Sequence, residues 1–257
     1  MPENPLQHVG VLVTRPAHQA EGLCGLIEQA GGRAIRLPVI EIIGPKDEAA
    51  ARDSLARLAE FDIVIFISAN AVHRCYQYIG MALPAGPQIA AVGQATARQL
   101  QQDFQQGADL LPAEGYNSEA LLAMPALTAV QGKKILIIKG EGGRDLLASC
   151  LTDRGANVSY ANLYRRSIPV GAAQQLATIR HEAKVDIVVL TSGEGITNLL
   201  SLADESSRSW LCSIIWLVIH PRLQDLARQA GCRNEIIISN GAGDDDIMHC
   251  LIQWARR

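Results

Sequence analysis

The sequence predicts an α/β protein built from two similar doubly wound domains, each with a parallel sheet. Three observations carry this. Short runs such as Ile63-Val-Ile-Phe and Ile187-Val-Val-Leu are nearly continuous in Val, Ile and Leu, the pattern of strands buried on both faces by helices. Each run ends in small or polar residues and leads into a segment of helical period. The runs also recur: Val11-Leu-Val-Thr-Arg-Pro matches Ile135-Leu-Ile-Ile-Lys-Gly, and Phe61-Asp-Ile-Val-Ile-Phe-Ile-Ser-Ala-Asn matches Val185-Asp-Ile-Val-Val-Leu-Thr-Ser-Gly-Glu, both 124 positions apart.

Along the chain the elements follow in order. After the strand at Val11 comes a helix with Leu23 and Ile27 on its apolar face, closed by Gly31; Leu147, Leu151 and Gly155 repeat it in the second copy. Pro38 and Pro169 follow the second strand of each copy and point to extended crossings, so linkers are expected at about 37–40 and 164–167. Ile89-Ala-Ala-Val-Gly-Gln pairs more weakly with Trp216-Leu-Val-Ile-His-Pro, the offset moving to 127 when Gly93 is set against His220, as a loop insertion would cause. Periodicity leaves two arrangements open: two sequential domains, or an exchange of the first strand-helix-strand unit between the copies.

Composition narrows the function classes. With 257 residues, 48% hydrophobic and 19% charged, the chain has material for two cores of ordinary globular size and is not disordered. A net charge of -3, from 23 basic and 26 acidic residues, offers nucleic acid no basic face, so an anionic ligand must be held by a few placed groups. No apolar run approaches the roughly 20 residues of a membrane span, and Met1-Pro-Glu-Asn-Pro-Leu-Gln-His has no secretory pattern, so the expected location is the cytoplasm. Cys24, Cys75, Cys150, Cys212, Cys232 and Cys250 lack CxxC spacing and read as reduced core thiols rather than as zinc ligands or a disulfide framework.

Doubly wound sheets bind ligands beyond the carboxyl ends of their strands, where Thr14, Ser68, Gly93, Gly140 and Ser192 fall. The turn Lys139-Gly-Glu-Gly-Gly-Arg-Asp offers Gly140, Gly142 and Arg144 as an anion cradle, or else a tight turn with Asp145 as a helix cap. It is no nucleotide fingerprint, because Asp145 stands where a third glycine is needed. Ser68 with Asn70, and Ser192 with Gly193, put hydroxyl and N–H groups at strand ends, for capping or for holding carboxylate. Arg15, with Lys139 at its matched position, offers a cation; Asp244-Asp-Asp246 suits the start of the last helix. His220-Pro-Arg222 is either a ligand contact or a surface loop, and Tyr164 either a proton donor or a packing residue. HExxH, a Cys/His cluster and GxSxG are all missing from the sequence, which disfavours metal and triad chemistry.

Taken together, Val11-Leu-Val-Thr-Arg-Pro, Ser68-Ala-Asn-Ala-Val, Ala91-Val-Gly-Gln-Ala-Thr-Ala, Asn117-Ser-Glu-Ala-Leu-Leu, Gly140-Glu-Gly-Gly-Arg, Arg154-Gly-Ala, Tyr164-Arg and Thr191-Ser-Gly-Glu resemble the uroporphyrinogen-III synthase family, in order and over essentially the whole chain. The resemblance implies two flavodoxin-like domains with exchanged units and a two-stranded linker. One domain would hold residues 1–36 and 168–257, the other 41–163, with the cleft between them. It implies a cofactor-free, metal-free monomer that cyclises hydroxymethylbilane with loss of water and inversion of ring D, with no nucleic acid or membrane partner but room for transient contact with the enzyme supplying its substrate.

The same resemblance places the family's tyrosine, which helps the hydroxyl leave, on Tyr164. Cleft hydroxyls fall on Thr14, Ser68, Thr96 and Ser192. Beside these carried-over positions, Arg15, Asn70, Gly93, Asn117, Ser118, Gly140, Gly142, Arg144 and Gly193 are expected to contact substrate. Where many members carry a glycine followed by threonines, this chain has His220-Pro-Arg-Leu, and Arg222 is expected to compensate by binding a carboxylate. The competing reading is a non-catalytic, two-lobed α/β ligand-binding sensor.

Overall fold

The computed structural model describes residues 4–80, 82–143 and 145–257. The elements begin β1 (Gly10–Val13), α1 (Ala17–Gln29), β2 (Arg33–Arg36), β3 (Glu41–Ile43), α2 (Glu48–Ala56), β4 (Ile63–Phe66) and α3 (Ala69–Ile79). They continue with β5 (Gln88–Ala91), α4 (Gln94–Phe104), α5 (Ser118–Leu122), α6 (Pro125–Thr128), β6 (Lys134–Gly140), α7 (Leu146–Asp153) and β7 (Asn157–Ser167). The last are α8 (Ala172–Glu182), β8 (Ile187–Leu190), α9 (Gly193–Leu202), α10 (Glu205–Ser213), β9 (Ile215–Val218), α11 (Pro221–Gln229), β10 (Ile236–Ile238) and α12 (Asp244–Ala255).

Two compact units result. Unit 1 combines the chain up to Glu41 with Ser167–Arg257, and unit 2 is Ile42–Arg166. The first strand-helix-strand piece therefore packs with the C-terminal part of the chain. Unit 1 has the strand order β2-β1-β8-β9-β10, with the pairs parallel. This is the 2-1-3-4-5 order of flavodoxin-like sheets. In unit 2 the order is β3-β7-β6-β4-β5, and a parallel bridge from Leu110 to Ala90 lies beyond β5. With β6 and β7 taken as the first two strands, it follows the same scheme.

The duplication extends to the register. Val11 pairs with Ile187 and with Ala34, and Ile135 pairs with Ile63 and with Val158, so each partner is displaced by the same 124 positions. Ile187 opposite Ile215 corresponds to Ile63 opposite Gln88, which reproduces the 127-residue offset of the third strand pair. Gly31 and Gly155 follow the ends of α1 and α7 with φ of 83° and 82°, a left-handed conformation that costs glycine little.

Burial follows the apolar runs. β1, β4 and β8 are buried along their whole length. In unit 1, Val11 and Val13 pack with Leu23 and Ile27 of α1 and Ile247 and Leu251 of α12. In unit 2, the two faces of the sheet carry separate clusters, one around Val64, Phe66, Leu136 and Ile138, the other around Ile63, Ile65, Ile135 and Ile137.

Residues 37–40 form no regular element but are not a free tether: Leu37 and Val39 are fully buried, and their N–H groups donate to Val13 and Thr14. Residues 164–167, the other expected linker, form the end of β7, and the boundary between the units falls between Arg166 and Ser167. Pairing persists there because Tyr164 stays in register with Gly140 and its carbonyl accepts from Glu141 N at 2.7 Å. All six cysteines are free, with Cys150 and Cys212 only partly buried. Among the described residues, no helix is long and apolar enough to cross a membrane.

Candidate active site

In unit 2, the carboxyl ends of β4, β6 and β7 bring Ser68, Gly140 and Tyr164 together. Ser68 caps α3: its Oγ accepts from Ala71 N at 3.1 Å. The same Oγ lies 3.0 Å from the Tyr164 hydroxyl. Tyr164 is 3% exposed, and its ring lies flush against Gly140. A Cβ at position 140 would stand 2.5 Å from Tyr164 Cε2 and 2.6 Å from Cζ, so close approach, rather than a positive φ, requires glycine there. Gly142 lies in the following turn; Arg144 lies outside the described residues.

A second group gathers at the same strand ends. Lys139 is 6% exposed, its Nζ 3.3 Å from Asp145 Oδ1 and 4.7 Å from the centroid of the Tyr160 ring. The Tyr160 hydroxyl donates to that Asp145 oxygen at 3.0 Å. Tyr160, and then Lys139, hold the Asp145 carboxyl below its ordinary pKa, whereas burial, and then Asp145, push the Tyr160 hydroxyl up. Asp145 is thus no helix cap of the expected kind: it precedes α7, but its side chain makes no capping bond and reaches back to Lys139 and Tyr160.

The remaining unit 2 candidates are spread out. Asn117 caps α5 through Oδ1, which accepts from Ala120 N at 2.8 Å. Ser118 shares a pocket of about 140 Å3 with Lys139 and Tyr160. Gly93 precedes α4, close against Tyr116. Asn70 is partly buried in the first turn of α3, and Thr96 is an interior residue of α4 at 4% exposure.

In unit 1, Ser192 caps α9 by accepting from Gly195 N at 2.9 Å. Ser192, Gly193, Glu194, His220 and Arg222 line a pocket of about 470 Å3 beyond β8 and β9. His220 is a cap rather than a loose loop residue: its Nδ1 accepts from Arg222 N at 3.1 Å, which puts the proton of the neutral ring on Nε2. Arg222 lines this pocket together with Ser192.

Thr14 and Arg15 both have partners within the chain. The Thr14 hydroxyl is buried and donates to Val189 O at 2.8 Å, tying β1 to β8. Arg15 is paired with the Asp244 carboxylate and also donates to the Ala242 carbonyl, its side chain only 9% exposed. The acidic start of α12 supplies this partner, so the cation is already neutralised within the chain. Lys139, at the matched position, is neutralised in the same way by Asp145. The contributions of Tyr160 and Glu194 were missed by sequence reasoning. Nothing in the run Asn157-Val-Ser-Tyr singles out Tyr160, and Glu194 reads simply as an acidic residue in the first turn of a helix.

Comparisons with known proteins identify the family and the fold. The family model described as "Uroporphyrinogen-III synthase HemD" matches residues 21–242. The chain is 35% identical over 248 residues to the uroporphyrinogen-III synthase of Salmonella typhimurium, covering 95% of this chain and 100% of that protein. For the Escherichia coli protein of the same name the identity is 33% over 249 residues, with coverage of 95% and 100%. Among solved structures, a mutant uroporphyrinogen III synthase of Thermus thermophilus matches the fold with a TM-score of 0.63 at 18% identity, covering 96% of this chain and 98% of that one. By the family model and by its identity to these relatives over nearly its whole length, the chain belongs to the uroporphyrinogen-III synthase family.

Proposed function

We infer that this protein cyclises the linear tetrapyrrole hydroxymethylbilane to uroporphyrinogen III, releasing water and inverting ring D. The match to family members over 95% of the chain carries the reading. Hydroxymethylbilane also closes unaided, without inversion, so the protein must hold a flexible chain in the productive geometry and help one hydroxyl depart.

The reading assigns that help to Tyr164. Ser68 Oγ accepts from Ala71 N and lies within hydrogen-bond reach of Tyr164 Oη. With the Ser68 proton directed at Oη, every bond of the chain Ala71 N–H, Ser68 O–H, Tyr164 O–H runs the same way, and the phenol proton is left for a ligand. Given to the ring A hydroxyl, that proton lets it leave as water, and ring A becomes an azafulvene still protonated at nitrogen. The substituted carbon of ring D attacks, and the spiro intermediate reopens and recloses inverted. A proton released on closure restores the phenol.

Substrate carboxylates would be met by the N–H groups at the starts of α3 and α9, and by the Arg222 side chain. The reading takes the protein as a cytoplasmic monomer. Because the substrate is unstable, it includes a brief contact with the enzyme that supplies it.

The test is to mix purified protein with fresh hydroxymethylbilane, with chelator present and no cofactor added, and to separate the product isomers. Type III product is expected. Type I alone would overturn the proposal, and tight binding without conversion would favour a sensor.

A further inference from the structure

Cys212 is the penultimate residue of α10, and Cys232 lies between α11 and β10. Their Sγ atoms are 3.0 Å apart. Hydrogen bonds of the surrounding backbone and side chains, not the sulfurs, hold them there. Cys232 N donates to Ala227 O at 3.1 Å, and its carbonyl accepts from Arg228 Nη1 at 2.9 Å. The same Arg228 nitrogen donates to Asn234 O at 2.9 Å, and Asn234 Nδ2 donates to Ser213 O, the residue after Cys212, at 2.5 Å. Trp216 Nε1 donates to Leu211 O at 2.8 Å and fixes the end of α10 from the other side. A covalent S–S bond of roughly 2.0 Å thus needs the sulfurs to close by only about 1 Å, within reach of side-chain rotation.

We propose that Cys212 and Cys232 form a reversible dithiol–disulfide site, oxidised by peroxides and reopened by small dithiols. Hydrogen peroxide takes the Cys212 sulfur to the sulfenic acid, releasing one water. The Cys232 sulfur then attacks it, losing its own proton and expelling hydroxide as the second water. Two electrons pass from the two thiols to the peroxide, and a dithiol returns them by exchange.

The order follows from exposure: Cys212 is partly buried, whereas Cys232 is 2% exposed. Cys232 is therefore a poor target for peroxide itself and serves as the resolving thiol.

The bond would close a loop of roughly 20 residues containing β9 and α11, which restricts the unfolded chain. It fastens the C-terminal end of α11, roughly 13 Å along the helix from the His220 end that borders the 470 Å3 pocket. The site should therefore stabilise the protein without gating the reaction, and it stands independently of the activity proposed above.

The test treats the whole protein with a few equivalents of hydrogen peroxide, followed by non-reducing tryptic mapping and thermal melting. A single linked pair, Cys212 with Cys232, reversed by dithiothreitol, is expected, with a melting temperature higher by about 5 °C. The rate of uroporphyrinogen III formation should stay within twofold. Cys212→Ser, which leaves the buried Cys232 in place, should abolish both the link and the peroxide-induced rise in melting temperature. Oxidation of Cys212 to sulfinic acid without a link would overturn the proposal. So would linkage through other cysteines, or the same thermal response in Cys212→Ser.

Discussion

Gly140→Ala should damage both stability and chemistry, because the added methyl falls on the ring of Tyr164. The Cβ would lie 2.5 Å from Cε2, whereas ordinary carbon contacts are about 3.5 Å, so the ring must retreat by about 1 Å. Gly140 does not need a positive φ, so the alanine backbone itself is unstrained. Overpacking costs about 1–3 kcal/mol, and moving the hydroxyl off its 3.0 Å contact with Ser68 adds about 1 kcal/mol. The melting temperature should fall by roughly 5–10 °C. A proton donor displaced by about 1 Å should lower kcat by ten- to a hundredfold. The assay is a coupled measurement of hydroxymethylbilane consumption with isomer separation, run on Gly140→Ala, Tyr164→Phe and the double variant. Tyr164→Phe alone should lose about tenfold or more in kcat. The double variant should be little slower than Tyr164→Phe, because the methyl acts through a hydroxyl already absent. Strictly additive kcat losses, or wild-type turnover in Gly140→Ala, would refute the link between Gly140 and Tyr164.

Other outcomes can be checked with the same assays. Arg222→Ala should raise KM about tenfold at unchanged kcat, as loss of one charged hydrogen bond to substrate requires; unchanged KM would remove Arg222 from the site. Arg15→Ala should instead cost about 1–3 kcal/mol in denaturant unfolding and leave KM within threefold, since its partner is Asp244; a large KM effect without destabilisation would restore it as a ligand contact. Asp145→Asn should lower stability at neutral pH. The folded-state pKa of Asp145 lies below the ordinary value of roughly 4, so its contribution is fully present above that value and is lost as the pH falls through the lowered one. The difference between wild type and variant should therefore vanish in strong acid, and a difference that persisted there would assign the effect to packing.

The sequence by itself determined the fold class, the duplication and the strand equivalences. Buried parallel strands declare themselves through unbroken Val/Ile/Leu runs, and helix ends through glycine; both are local signals. The offsets of 124 and 127 between copies reappear unchanged in the register of the two sheets, because side chains that alternate between faces cannot slip by one residue without turning the core outward. Tertiary structure decided which polar groups are free. Arg15 and Lys139 look alike in sequence, each a cation at the end of an apolar run. Arg15 is neutralised by a carboxylate 229 positions away and Lys139 by one six positions away. Tyr164 meets Ser68 across 96 positions, and Cys212 meets Cys232 across 20. Such pairings depend on which strand ends the sheet order makes neighbours and on where each side chain then points, and neither is encoded in the local pattern that reveals the strands.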